Sequence, residues 1–391
     1  MPLDASKAQA GAGQPDEIRV AASRHAHGID AIGEIAAAIG NRDSIGFLLL
    51  FVSPHYDPEQ ILAGLRTHLP GIGYAGCSTA GEIGPQGMTF ASVVAIGFPR
   101  RDFRIVCAPL LPGDASIEAG AELVTQLLGQ LRLEDETHAQ LFAMTLLDGL
   151  CQREEQILAA IQYSLNDIPL VGGSSGDDLA LRNTFVLHDG QVMRKTGLLL
   201  LVRSQRPFRI IKSDHFEPTA KRLVVTACDP DRRVVTELNA DPAAAAFAEA
   251  IGIDPQALDS TSFAAHPLLV RVGGEYYCRS IQKVNADGSL CFYCAIDTGV
   301  VLTVARARNM AQSLEQALIE LDTELGGIEL MIGFDCIHRR LEADSRQLTS
   351  AISNLFRRFR VAGFSTYGEQ YKTMHLNYTL TGIAFGRGSA P

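Results

Sequence analysis

Three short turns hold the residues best suited to chemistry in this chain: Gly76-Cys77-Ser78-Thr79-Ala80-Gly81-Glu82, Gly172-Gly173-Ser174-Ser175-Gly176-Asp177-Asp178 and Gly363-Phe364-Ser365-Thr366-Tyr367-Gly368-Glu369. Each sets a glycine before a hydroxyl pair and a carboxylate about four residues after the first hydroxyl. Glycine permits close backbone approach, and Ser or Thr hydroxyls bond nearby amides. Two readings follow. The hydroxyls and the carboxylate cap a structural turn, or they line a ligand site, and one set of residues can do both. In the second reading Ser78, Thr79, Glu82, Ser174, Ser175, Asp178, Ser365, Thr366 and Glu369 hold the amine and carboxylate of an amino acid. Such a ligand calls for an arginine clamp, and Arg279 or Arg339 could serve.

Other chemistries fit less well. Gly172-Gly173-Ser174-Ser175-Gly176 matches G-x-S-x-G, but a nucleophile elbow needs a strand before it and a helix after it. The residues that follow, DDLALRNTFVLHDGQ, read as a turn and a hairpin strand, and the sister turns break the pattern. A serine hydrolase at Ser174 is therefore a remote alternative, and the chain is not expected to be an enzyme. Cys291-Phe292-Tyr293-Cys294 is a lone Cys-x-x-Cys without the second pair that zinc requires. On a strand its sulfurs point to opposite faces, so core packing is the expectation. Cys336 ends a strand, where it can touch a ligand or pack. There is no G-x-x-x-x-G-K-[ST] phosphate loop.

The turns recur because their surroundings recur. Residues 46–98, 139–202 and 328–386 share one order: apolar strand, amphipathic helix, short strand, Gly-Ser turn, polar excursion, apolar strand. LLLFV, LFAMTLL and ELMIGF are unbroken apolar runs, as in strands covered on both faces. Ile157, Leu158, Ile161 and Leu165 form one apolar stripe at helical spacing. A strand, a helix and a returning strand imply a right-handed crossover and a parallel pair. Residues 208–325 differ, being rich in β-branched residues and turns, with a hairpin at Asn285-Ala286-Asp287-Gly288 and helices from Pro242 to Ile251 and over 309–325. The fold class expected is α/β, with mixed sheets in two lobes built from these repeated units.

Composition narrows the function classes. The net charge of the 391 residues is −10 and no stretch forms a basic face, which argues against nucleic acid or an anionic membrane as partner. No apolar run approaches the roughly 20 residues needed to cross a bilayer. The first residues lack a basic start and an apolar core, so no secretory signal is expected. The 8 Cys, several in apolar strand-like runs, then read as reduced thiols of a cytoplasmic protein. Residues before about Ile18 read as a disordered tail.

At GCSTAGEIGPQG (76–87), VGGSSGDDLALRNTFVLHDGQV (171–192), RVVTELNADPAA (233–244), HPLLVRVGGEYYCRSIQKVNADGSL (266–290), FDCIHRRLE (334–342) and GFSTYGEQYKTMHLNYTLTGIAFG (363–386) the sequence resembles the FIST family. These are the paired N- and C-terminal sensory domains of bacterial signal transduction. The resemblance implies a tail over 1–28, a FIST N-terminal domain over 29–220 and a C-terminal domain over 221–391. It implies a small-ligand input module, proposed for amino acids and other metabolites. Because the chain ends at Pro391 directly after the last repeat, it looks similar to the stand-alone NosP branch, haem-based nitric oxide sensors that regulate a separate histidine kinase or cyclic-di-GMP enzyme. On that similarity haem b is the expected cofactor, and a homodimer is admitted. Its axial candidates rank His375 and His266 first, then His215, with His338 last because two arginines follow it. Covalent haem is excluded, since no Cys-x-x-Cys-His occurs. The alternative is a sensor of an amino acid or other polar metabolite without haem.

Overall fold

Ile45–Val52 is apolar at every position but Gly46, so neither face of such a strand can be left to water. In the computed structural model, which describes residues 17–110, 116–131, 140–372 and 374–387, the two faces meet different covers. Phe47, Leu49 and Phe51 enter a central core, while Leu48, Leu50 and Val52 face a layer of helices. The same division recurs twice along the chain.

The first unit runs β1 (Arg19–Ser23), α1 (Gly28–Ile39), β2 (Ile45–Val52), α2 (Pro58–His68), β3 (Gly73–Ser78), a hairpin of β4 (Glu82–Gly84) and β5 (Gly87–Thr89), and β6 (Val93–Pro99). The second repeats it as β7 (Phe103–Leu110), α3 (Ile117–Gln130), β8 (Gln140–Leu147), α4 (Glu154–Leu165), β9 (Leu170–Ser174), the hairpin β10 (Val186–His188) and β11 (Gln191–Met193), and β12 (Gly197–Ser204). The third opens with β13 (Phe208–Ser213) and is then interrupted by an insert. The insert comprises β14 (Phe216–Asp229), β15 (Val234–Leu238), β16 (Asp241–Pro242), α5 (Ala243–Ile251), α6 (Ser260–Ala265), β17 (Leu268–Val272), β18 (Glu275–Arg279), β19 (Ile281–Val284), β20 (Leu290–Phe292) and β21 (Val301–Ala307). The third unit resumes with α7 (Met310–Leu325), β22 (Ile328–Cys336), α8 (Ile337–Ser345), α9 (Thr349–Arg358), β23 (Val361–Thr366), the hairpin β24 (Glu369–Tyr371) and β25 (Met374–Leu376), and β26 (Leu380–Gly386).

Each unit builds one mixed sheet and finishes it with a neighbour's hairpin. The orders are β1-β6-β2-β3-β10-β11, β7-β12-β8-β9-β24-β25 and β13-β26-β22-β23-β4-β5. The pairs β2–β3, β8–β9 and β22–β23 are parallel, as a strand–helix–strand crossover requires. The hairpins circulate: the second unit lends to the first, the third to the second, and the first to the third. The inner faces of all three sheets meet in one core that holds Phe51, Phe142, Phe334, Phe364 and Phe385, and helices cover the outer faces. The insert closes a core of its own around Val225, Leu238, Phe247, Phe292 and Leu302.

Three expectations change. Arg19–Ser23, placed in a tail over 1–28, form a strand paired along its length with β6, and the Ile18 amide donates to Glu329; residues 1–16 lie outside those described. β13 and α7, assigned to the divergent segment 208–325, belong to the third unit: β13 pairs with β26 just as β1 pairs with β6. The boundary at 220/221 falls inside β14, because the lobes are a body and an insert rather than two consecutive halves.

Candidate functional site

The three Gly-Ser turns meet where the units converge. The Ala80 amide donates to the Ser365 carbonyl, the Gly176 amide to that of Ser78, and the Tyr367 amide to that of Ser174. Each donor lies two residues beyond its own unit's serine, so the three bonds close a ring. Ser78, Thr79, Ser174, Ser175, Ser365 and Thr366 are all buried in it. In two units the carboxylate completes the turn as the spacing predicts. Thr79 Oγ1 donates to Glu82 Oε1 at 2.5 Å and Ser92 Oγ to Glu82 Oε2 at 2.7 Å; Thr366 and Thr379 bind Glu369 likewise at 2.7 and 2.8 Å. Burial raises both carboxyls, Glu82 being partly held back by Ser92 and Thr79, and Glu369 rising to about 8. Burial and the neighbouring Glu369 push the Cys336 thiol well up.

The middle turn departs from this scheme. Asp178 is half exposed, 3.8 Å from Arg340, and takes no part in the ring. Asp177 accepts the amides of Leu181, Arg182 and Asn183 at 2.6–2.8 Å and the Tyr367 hydroxyl at 2.5 Å. The carboxylate that ties the strand ends together comes instead from Asp148, which accepts the Lys195 amide at 2.5 Å and the Thr184 hydroxyl. Ser174 Oγ accepts from the Gln370 side-chain amide at 2.9 Å, and its strand leads into a turn rather than a helix. These hydroxyls and carboxylates bond to one another and to backbone, which is the capping reading of the turns.

A second cluster lies in the seam between body and insert. The body supplies Glu154 and Glu155 from the first turn of α4, and His375, Asn377 and Tyr378 on and after β25. The insert supplies Arg233, Arg279 and Tyr293–Ala295. Arg233 Nη2 donates to Glu154 at 2.9 Å and Glu155 at 3.1 Å, while its Nη1 donates to the Tyr293 carbonyl at 2.6 Å. The Ala295 amide donates to Glu155 at 3.2 Å, and Arg279 Nη1 to the His375 carbonyl at 3.0 Å. Burial pushes the Glu155 carboxyl up, but its interactions with His375 and Arg233 outweigh that and leave it below the usual range. His375 Nδ1 and Asn377 Oδ1 are buried without a hydrogen-bond partner. A buried polar atom left unmatched costs about 1–3 kcal/mol, so such atoms call for an explanation.

Comparison among the units sharpens the point. Hairpin strands β11, β5 and β25 pack on α2, α9 and α4 respectively. The position of His375, opposite Gln370, is held in the first unit by Met88, opposite Ile83. Of these two equivalent positions, only the one covered by the insert carries an imidazole.

The structure brings His338, His375 and Arg279 to this seam. His338 lies between two tyrosines, its ring centroid 4.5 Å from that of Tyr293 and stacked at 5.0 Å on Tyr378. Burial pulls its pKa down to about 4, so the imidazole is neutral, and its ring makes no hydrogen bond among the described residues. His215 sits at the neck of the insert, with Nε2 3.1 Å from Glu342 and Nδ1 3.5 Å from Arg339. Burial lowers its pKa, with Glu342 opposing. Arg339, the other clamp candidate, lies away from this seam, donating from Nε to Asp335 at 2.6 Å while its Nη2 is buried without a partner among the described residues. His266 ends α6, and its ring makes no polar or ring contact among the described residues. Cys294 packs in the insert core, and Cys291 turns to Gln282. No group of three His, Cys, Asp or Glu fit to hold a metal ion occurs among the described residues.

Sequence reasoning missed Glu155, Arg233, Asn377, Tyr293 and Tyr378. One signal was available: Arg233, Tyr293, Asn377 and Tyr378 lie in or beside the segments already singled out.

Fold and seam define a class: a triplicated α/β body bearing a β-rich insert across a polar junction. The chain belongs to the FIST family, whose FIST N domain matches residues 46–241 and whose FIST C domain matches residues 243–372. FIST domains are signal-transduction sensor domains that bind small ligands. An uncharacterized protein of Methanocaldococcus jannaschii is 22% identical, covering 92% of this chain and 76% of its own length. Cyanuric acid hydrolase from A. caulinodans superposes with a TM-score of 0.39 at 9% identity, over 95% of this chain and 99% of that one, too low a likeness to carry an argument. Among the described residues no helix is long and apolar enough to cross a membrane.

Proposed function

We propose that this FIST protein senses a small polar ligand of the amino-acid type in the seam between body and insert, and passes its state to a signalling partner. The observation that carries the reading is the buried, unmatched Nδ1 of His375, close to Glu155 and on a strand whose carbonyl holds Arg279, with the unmatched Oδ1 of Asn377 two residues on. A zwitterion can satisfy such a lining, its ammonium on the oxygens and its carboxylate on a guanidinium. Calorimetric titration with each of the twenty amino acids tests it. Asn377→Leu should weaken binding at least tenfold while changing thermal stability little, since it removes a buried unmatched acceptor and gives up only the 3.4 Å bond from Nδ2 to the Tyr367 carbonyl. Failure of every amino acid to bind the wild-type chain sinks the reading.

A second reading, haem-based nitric oxide sensing relayed to a separate histidine kinase or cyclic-di-GMP enzyme, is favoured by His338. Its neutral imidazole, without a hydrogen-bond partner among the described residues, fits an axial ligand, as does the unmatched Nδ1 of His375. Haem would supply the iron that binds the gas. Protein from haem-supplemented cells should then show a Soret band that shifts with nitric oxide and is lost in His338→Ala or His375→Ala. A colourless protein that takes up no haem rejects this reading.

A further inference from the structure

We propose that the insert is a hinged cover over the seam, pivoting at the neck beside His215 and latched to α4 by Arg233. What the cover serves rests on the ligand reading above; how it moves rests on the packing alone.

The insert is joined to the body by two adjacent crossings. Phe216 and Ala307 are Cα partners at the start of β14 and the end of β21, and the Arg308 amide donates to the His215 carbonyl at 2.7 Å. Apolar contact gathers on this side. Phe216, Leu269, Cys278 and Ala305 form a small cluster with Tyr378 packed against it, and Tyr277 reaches the body's central core. Beside it Lys212 Nζ donates to the Tyr276 carbonyl at 2.8 Å. Because the insert also holds a core of its own, it can move as a unit without exposing that core.

Arg233, by contrast, holds the insert to α4 through polar groups, Glu154, Glu155 and the Tyr293 carbonyl, next to the Ala295–Glu155 bond. Between neck and latch the seam is narrow, crossed by the Tyr293–His338 ring contact and the Arg279–His375 bond. Ion pairs and hydrogen bonds exchange for water on opening, whereas an apolar interface does not. Lobes joined by a narrow neck and a polar face move by default unless a large apolar interface fixes them. The charges of the latch are also those that line the seam, so a ligand that engages Glu155 or Arg233 competes with closure or completes it.

Opening would release the Ala295 amide of the insert, which the closed seam bonds to Glu155 of the body at 3.2 Å. The test is hydrogen exchange of the full chain, read amide by amide by NMR, with no ligand added. In Arg233→Ala, the Ala295 amide should exchange at least about tenfold faster than in the wild type, and Arg233→Lys, which keeps the charge but not the fork, should fall between. Exchange at the Val225 and Gly299 amides, bonded within the insert, should stay unchanged. If those amides accelerate together with Ala295, the insert unfolds instead of swinging, and the proposal fails. Unchanged exchange at Ala295 in both variants removes the latch and overturns it as well. A chain that opens as described yet binds no amino acid keeps the cover and loses only the ligand reading.

Discussion

Glu369 and Asp177 occupy sister turns, yet their surroundings drive them in opposite directions. Burial raises Asp177 too, but the Tyr367 hydroxyl and three backbone amides outweigh it and hold the carboxyl below its ordinary range. Glu369 is fully enclosed, and the hydroxyls of Thr366 and Thr379 do not offset that burial, so its pKa rises to about 8. The linkage follows. An acid whose folded pKa exceeds its ordinary 4.5 contributes stability that is fully present below 4.5 and lost as pH climbs to about 8. Asp177 works in the other direction: its contribution is present above 3.8 and lost as pH falls through its lowered value, so the two windows do not overlap. Glu369→Gln copies the neutral acid, with an amide that can donate to Thr366 Oγ1 and an oxygen that can accept from the Thr379 amide. Urea unfolding at pH 5, 6.5 and 8 should therefore show a shallower decline in stability for the variant than for the wild type. Parallel declines would mean that Glu369 is ionised throughout. The same spacing that pointed to Glu82 and Glu369 pointed to Asp178 in the middle turn, where Asp177 takes the amides and the tyrosine hydroxyl instead. That choice is made by backbone: Asp178 and Leu179 are left-handed, at φ of 56° and 67°, which turns Asp178 outward and sends the following amides back to Asp177.

At the scale of elements, the leading glycine of each turn is explained by strand spacing rather than by turn geometry. A Cβ on Gly76 would lie 2.8 Å from the Leu50 carbonyl oxygen, one on Gly172 2.2 Å from that of Thr145, and one on Gly363 1.8 Å from that of Gly333. In each case the obstacle is backbone of the adjacent parallel strand, which cannot give way without moving the sheet. Gly172→Ala should cost about 3 kcal/mol or more in urea unfolding. Gly129→Ala, in α3 with open space around it, should gain about 0.5–1 kcal/mol through helix propensity. Equal effects at the two sites would refute the strand-spacing account. The repeated apolar strands, their helices and the parallel pairs were all legible, because buried strands and amphipathic stripes imprint their period on the sequence. The strand and helix that open each unit were not recognised as part of the repeat. β1 and β7 lie at sheet edges and are only partly buried, which weakens the pattern, and in the third unit the insert separates β13 from α7. A signal did exist, since β7 and β13 both begin Phe-Arg-Ile.

For the whole molecule, the exchange of hairpins among units could not be read from one sequence, because no local pattern says which distant edge a three-residue strand will join. The same limit hid the seam: Glu155, Arg233 and Asn377 are far apart in the chain and gain meaning only once the insert lies over β25 and α4. What the topology does decide is which part can be removed. The ring of turns, all three exchanged hairpins and the central core, apart from Tyr277, belong to the body, while the insert enters and leaves through neighbouring strands and holds its own apolar cluster. Replacing residues 214–307 with a short glycine linker from Ser213 to Arg308 should therefore leave a body that unfolds in one cooperative transition and keeps its α/β circular dichroism. Its melting temperature should fall by several degrees, since Tyr371 and Tyr378 lose part of their cover. Ligand binding should be lost, because Arg233 and Arg279 leave with the insert while His375 and Asn377 become open to water. A truncated chain that does not fold would make the insert part of the body's structural core. A truncated chain that folds and still binds with undiminished affinity would place the ligand elsewhere, at the ring of turns where hydroxyls and carboxylates already converge.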